Sequence, residues 1–276
     1  MEKLFLLSSN NSIIAVESVP NLSESEVSKM MENIYTQAAQ FRSIKKFYDD
    51  LQEIQKNNQR IKTLIDNIKS DQKNQSKFQN LSRLVAKYTY DFFDFVNFSE
   101  QFVVAHPIAN LKELLISYQY DNFYAYRLAY SLGNFVKHVE QLIPLNDFYD
   151  KDNYNIYISI NQLKEIDKDC SKKVKAVYEE KDKINLVHYL DTTLSCIQAQ
   201  TMCITKQIFV DEKAGEYFQS TDQFIANYGF PCKIDFDNLN GGKVNLKNEE
   251  IMSLRIEIAK IVNKFKIADI KIQTKK

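Results

Sequence analysis

Two unbroken runs of residues at alternating steps of three and four constrain this chain more than anything else in it. The first is Ile44, Phe47, Leu51, Ile54, Asn58, Ile61, Ile65 and Ile68. The second is Phe78, Leu81, Val85, Tyr88, Phe92, Phe95, Ser99 and Phe102. That spacing lays every member along one stripe of a helix, whereas a strand alternates its faces with a period of two. A polar stretch, Ser70 to Ser76, separates the runs. A short polar loop between heptad helices predicts an antiparallel helical hairpin over 44–69 and 77–105. An intermolecular coiled coil is the alternative, and Asn58 at an inward position would fix register in either. With only 5 Gly and 4 Pro in 276 residues, few breakers interrupt the remainder. The expected fold class is therefore all-α. It is a multi-helix bundle with a long antiparallel hairpin, and a minor β element near the N-terminus and at residues 154–160.

The rest of the chain fills in around that hairpin. Residues 3–18 carry two short apolar runs flanking Asn10-Asn11, the pattern of a small β-hairpin. Ser23 with Glu26 forms a capping box for a helix over 24–40. His106-Pro107 closes the second heptad helix, and a short helix over 109–117 leads through the aromatic segment 118–126 into a helix over 122–143. Leu145 to Asn153 is expected as a polar loop. Tyr154 to Ile160 alternates as a strand that would pair with the N-terminal hairpin. Helix is expected again from Asp169 to Tyr217 with a break near 180–182. Its inward face is Ile184, Val187, Leu190 or Asp191, Leu194 and Ile197, with His188 at its boundary. Residues 222–228 add a turn closed by Gly229 and Pro231, Asn240-Gly241-Gly242 is a turn, and 247–265 is a last amphipathic helix. A single domain over 1–276 is expected: an extended segment 1–22, a helical bundle 23–230, and a C-terminal helix with a basic tail, 231–276.

The helix over 122–143 carries two stripes. Leu128, Leu132, Phe135, Val139 and Leu142 are apolar; Arg127, Ser131, Asn134, His138 and Gln141 are polar at the same steps, about 100° round the axis. An ordinary solvated face is rich in Lys and Glu, whereas Arg, Asn and His are types that bind phosphate and move protons. Gly133 sits beside this stripe in mid-helix, where glycine costs about 1 kcal/mol relative to Ala. Tyr126-Arg127, Leu132-Gly133-Asn134, His138 and Pro144 stand in an order that resembles the active-site helix of HEPN-domain proteins, a superfamily of all-helical domains that includes many ribonucleases. The resemblance covers roughly 120–144. It departs from the family pattern at one point: Gly133 occupies the position of the motif arginine.

The resemblance implies a metal-independent endoribonuclease with no cofactor. His138 would be the acid/base on the ribose 2′-hydroxyl or leaving oxygen, and Asn134 would orient it. The motif arginine would stabilise phosphorane charge, but position 133 is glycine. Arg127 is the candidate substitute, reaching across a dimer because it lies too far along its own helix. The resemblance further implies a homodimer with a composite site, an RNA substrate, a toxin or anti-phage defence role, and an antitoxin or other protein partner. Three readings stand side by side: a ribonuclease weakened or inactivated by Gly133, a HEPN-like fold that binds RNA or protein without cutting, and a helical interaction protein whose polar stripe is structural. On the first reading, an arginine restored at 133 would also stabilise the helix through propensity.

Charge and composition narrow the field. Lys+Arg and Asp+Glu are both 36, so no global field draws nucleic acid. The local exception is 251–276, with seven cations against Glu257 and Asp269. No apolar run reaches membrane-spanning length, and the N-terminal run Leu4 to Leu7 is too short for a signal peptide. The four cysteines form no C-x-x-C pair, which suits reduced, buried thiols in a cytoplasmic protein. Cys196, Cys203 and His188 as a metal set, and Asp147, Asp150 and Asp152 as a metal loop, are both weaker readings than a structural role and a solvated loop. No metal site is expected.

Overall fold

The computed structural model describes residues 2–8, 12–70, 75–105, 112–139, 142–150, 153–235, 247–268 and 270. The chain forms two compact units, one built from Met1–Tyr48 with Met202–Lys276 and the other from Asp49–Thr201. Residues 23–230, grouped above as one bundle, are thus shared between them. Helices dominate both, and the described strands form two small antiparallel sheets.

In the first unit, β1 (Glu2–Leu7) and β2 (Ile13–Ala15) form the expected hairpin, with Phe5 opposite Ala15 and Leu7 opposite Ile13. A strand that the local sequence does not announce, β6 (Phe230–Asp235), pairs antiparallel on the other side of β1, with Leu6 opposite Pro231. An edge position tolerates that proline, which has no N–H to give to a ladder. Ser23 caps helix α1 as anticipated: its backbone N–H donates to Glu26 Oε2 at 2.8 Å, and the Glu26 N–H returns to Ser23 Oγ at 3.3 Å. α1 then runs without a break over Glu24–Ser70. The two helices expected over 24–40 and 44–69 are one, because Phe41-Arg42-Ser43 contains no breaker and Phe41 and Ile44 continue one buried face. Leu6, Val16, Val27 and Phe224 make a small core at the sheet, flanked by Leu4, Ile14, Met30 and Tyr228.

The same unit contains α8 (Ala214–Tyr228) and α9 (Lys247–Lys264). Residues 222–228, expected as a short turn, are the last part of α8. Gly229 ends it at φ 98, and its N–H bonds to Ile225 O at 2.9 Å. That left-handed conformation favours glycine. Arg255 on α9 is only 3% exposed. Its guanidinium donates to Gln37 Oε1 (3.0 Å), Phe218 O (2.8 Å) and Asp222 Oδ1 (2.6 Å), and lies 4.3 Å from the centre of the Phe218 ring. Gln37 in turn donates to Thr221 Oγ1. Arg255 was counted above in a basic tail; it is instead a buried tie between helices.

The second unit holds the hairpin. α2 spans Gln75–Ala105. Leu51, Ile54, Asn58, Ile61, Ile65 and Ile68 of α1 are buried, as are Leu81, Val85, Tyr88, Phe92, Phe95, Ser99 and Phe102 of α2. Asn57 of α1 donates to Asp91 of α2 at 2.9 Å, a pairing that only an antiparallel run on either side of residues 71–74 allows. Asn58 donates to Leu190 O at 3.1 Å, and the Tyr88 hydroxyl bonds Leu190 O and Thr193 Oγ1. The inward asparagine is therefore bonded inside one chain, to α7 (Leu186–Lys206).

Four expectations here are corrected. Residues 145–150, read as loop, are strand β3 (Leu145–Asp150), and the 154–160 element is β4 (Asn153–Ser159). β4 pairs with β3 and with β5 (Lys183–Asn185), not with the N-terminal hairpin. The helix over 122–143 begins anew: α3 (Tyr118–Asn122) stops at extended Phe123, and α4 runs Tyr124–Val139. Helices α5 (Ile160–Ile166) and α6 (Lys172–Glu179) precede β5. On α7, Val187 and His188 are exposed rather than inward or at the boundary; Leu186, Tyr189 and Leu190 take the inner face. His106 and Asn240 to Gly242 lie outside the described residues.

Candidate functional site

The site nominated by the sequence lies on α4, whose inner face is Leu128, Leu132 and Phe135, all buried. Tyr126, 1% exposed, packs its ring edge-on to Phe92 of α2 at 5.2 Å. Its hydroxyl accepts from Gln200 Nε2 at 3.0 Å; the same nitrogen donates to Gln119 Oε1 at 2.7 Å, and Gln119 donates to Cys196 O at 3.2 Å. This buried amide chain ties α3, α4 and α7 together. Burial pushes the Cys196 thiol up to about 12 and raises the Tyr126 phenol well above its ordinary range. A thiol so shifted stays protonated at neutral pH and is a poor nucleophile or metal ligand.

Arg127 sits at the junction of α3 and α4. The chain breaks at Phe123, so the last carbonyls of α3 lack helical partners. Arg127 Nη1 supplies them, donating to Tyr120 O at 2.7 Å and Asp121 O at 2.8 Å. Its Nε and Nη2 hold Glu180 in a two-point pair at 3.1 and 2.6 Å. Glu180 is the first cause of the rise in the Arg127 pKa. A guanidinium making four protein bonds is a clamp; to reach a phosphate it would have to release Glu180 or the two carbonyls.

Gly133 is buried where α4 meets α2. A Cβ placed on it would overlap the Cβ and Cγ of Phe93, and would lie 2.7 Å from Phe93 Cδ2. Phe93 is itself held by Tyr130, ring to ring at 5.3 Å. The glycine is there to let two helices approach closely. The expectation that arginine at 133 would stabilise the helix is therefore overturned, because its first side-chain atom collides with α2 before propensity counts.

The polar stripe is not one open face. Arg127 is 17% exposed and bonded, Ser131 is buried, and Asn134 is exposed. The side chains of His138 and Gln141 lie outside the described residues. Of the four residues nominated for catalysis, then, Arg127 and Gly133 are committed to structure and Asn134 faces solvent. Among the described residues no group of three or more His, Cys, Asp or Glu side chains is placed to hold a metal, and no helix is long and apolar enough to cross a membrane.

One feature was not foreseen. A groove of about 670 Å³ opens beside Arg127, with Glu100, Tyr120, Tyr130 and Lys173 among its walls. Its only sequence signal was the aromatic density of 118–126, read as core; Glu100 carried no signal at all. Comparison with protein-family models, with curated proteins and with solved structures found no match to this chain.

Proposed function

We propose that this chain acts by binding a protein partner on a HEPN-like helical scaffold and does not itself cut RNA. Position 133 carries that reading: the residue standing at the motif arginine is packed against Phe93 and offers no charge to a phosphorane. Removing one aligned donor typically lowers such a rate about 100- to 1,000-fold. The remaining candidate, Arg127, is spent on Glu180 and two carbonyls. A protein partner is favoured over RNA by the zero net charge and by the loss of Arg255 from the basic tail to an internal ion pair. The test is incubation of the purified protein with total RNA without metal, beside His138→Ala, with anisotropy of a labelled single-stranded RNA. Neither cleavage nor micromolar RNA binding is expected. Cleavage by the parent chain that His138→Ala removes would overturn the reading.

A second reading, a ribonuclease that completes its site across a homodimer, is favoured by one observation. Asn134, the motif asparagine, is exposed on α4 where a second copy has access to it. Light scattering separates the two: the ribonuclease reading requires a dimer at micromolar concentration together with cleavage.

A further inference from the structure

The groove beside Arg127 brings Glu100 together with Tyr120 and Tyr130. It runs among α2, the segment 116–121, α4 and α6, all within the second unit. Its volume, about 670 Å³, falls in the ordinary range for small-ligand sites. The Tyr120 and Tyr130 rings stand perpendicular, at 88° with centroids 6.1 Å apart, and form a corner of aromatic wall. Glu100 is half-buried beside them. Among the described residues its carboxylate receives neither a hydrogen bond nor an ion pair. Burial raises its pKa, and Lys112 opposes that through space. A half-buried carboxylate without a partner is costly to keep.

We propose that this groove is a binding site for a small organic ammonium ion, seated on Glu100 and walled by Tyr120 and Tyr130. Ring faces attract a cation through their quadrupole, and a carboxylate beside them supplies the counter-charge. The charges of the lining agree. Glu100, Asp121 and Glu180 stand against Arg127 and Lys173, three acidic groups to two basic. The Arg127–Glu180 pair cancels itself, which leaves Glu100 and Asp121 against Lys173 in the lining, with Lys112 acting on Glu100 from further off. An anion would meet Glu100 directly. A neutral apolar ligand would leave the carboxylate unanswered. This site stands or falls independently of whether the chain cuts RNA.

The experiment is titration of the isotopically labelled full chain with n-butylammonium, followed by amide chemical shifts, with n-butanol as the neutral control. Shifts around Glu100, Tyr120 and Tyr130 are expected at millimolar ligand, with n-butanol weaker by about tenfold. Glu100→Gln should weaken the ammonium by about tenfold and Tyr120→Leu by about threefold, each with an unchanged circular dichroism spectrum. If Glu100→Gln does not fold, Tyr120→Leu and the butanol control carry the comparison. Spermidine and the lysine analogue N-acetyl-lysine methylamide identify the source. Tighter binding of spermidine supports the site as one for free polyamines; tighter binding of the analogue supports it as one for a lysine side chain of another protein. No response to any amine, an equal response to butanol, or undiminished affinity in both variants would overturn the proposal.

Discussion

The first turn of α4 and its middle are held by opposite physics. At Arg127 the helix start is fixed by directed polar bonds at the edge of solvent, to Glu180 and to carbonyls left over from the break at Phe123. At Gly133 there is no side chain to bond; α4 and α2 simply lie so close that a methyl group does not fit over Phe93. Polar anchorage near the surface tolerates exchange, because water can replace a lost partner. Close dry packing tolerates nothing larger, because the interior has no slack to take up. Chemical identity misled at both positions. The arginine is used for its geometry, and the glycine for what it lacks.

Four measurements test this contrast. The largest effect is expected for Gly133→Arg. Overpacking typically costs about 1–3 kcal/mol and here meets a backbone-proximal Cβ, so the loss should exceed about 3 kcal/mol despite a propensity gain near 1. Urea unfolding reads it, and a variant as stable as the parent would mean the two helices are not so close. Arg255→Gln comes next, as the buried counterpart of Arg127 in the other unit. It strands Gln37 and the Phe218 carbonyl out of water, at about 2–3 kcal/mol. Arg127→Gln should cost less, about 1 kcal/mol, because Glu180 is partly exposed and can be hydrated. If Arg127 proves the costlier of the two arginines, anchorage at the α3–α4 junction is not a surface effect.

The smallest effect tests polar anchorage at a fully solvated helix start. Hydrogen bonds from Ser23 hold the Glu26 carboxyl below its usual value. A folded pKa lowered in this way adds stability above the ordinary glutamate range, and that stability is lost as the pH falls through the folded value. The difference in Tm between the parent and Glu26→Gln should therefore shrink on acidification through that window. A difference that is the same at pH 7 and pH 3 would show that the carboxylate does not cap α1.

What the sequence disclosed and what it hid divide along the range of the interactions. The heptad stripes and the Ser23–Glu26 box depend on residues a turn apart, and both were legible. β3 was not, since Asn146-Asp147 reads as loop until β4 lies beside it. β6 was hidden because its partner, β1, lies at the far end of the chain. Gly133 had no local explanation because the reason for it is Phe93, on another helix. Arg255 reads as a surface cation until Gln37, Phe218 and Asp222 gather round it. Glu100 was invisible for the same reason: a groove is a property of four elements, not of any one.

The pairing of β1 with β6 imposes an order of events on synthesis. Residues 49–201 form one unbroken stretch that can reach its native contacts as soon as it emerges. The other unit cannot close until the chain has been made at least to Asp235, since Glu2 takes that residue as its ladder partner. Closing so long a loop is slow. Until it happens, β1 is an exposed strand edge, and such an edge invites pairing with other chains. Pulse-labelled hydrogen exchange during refolding should find the amides of α2 protected before those of β1. The opposite order would mean that the terminal sheet nucleates the fold rather than seals it.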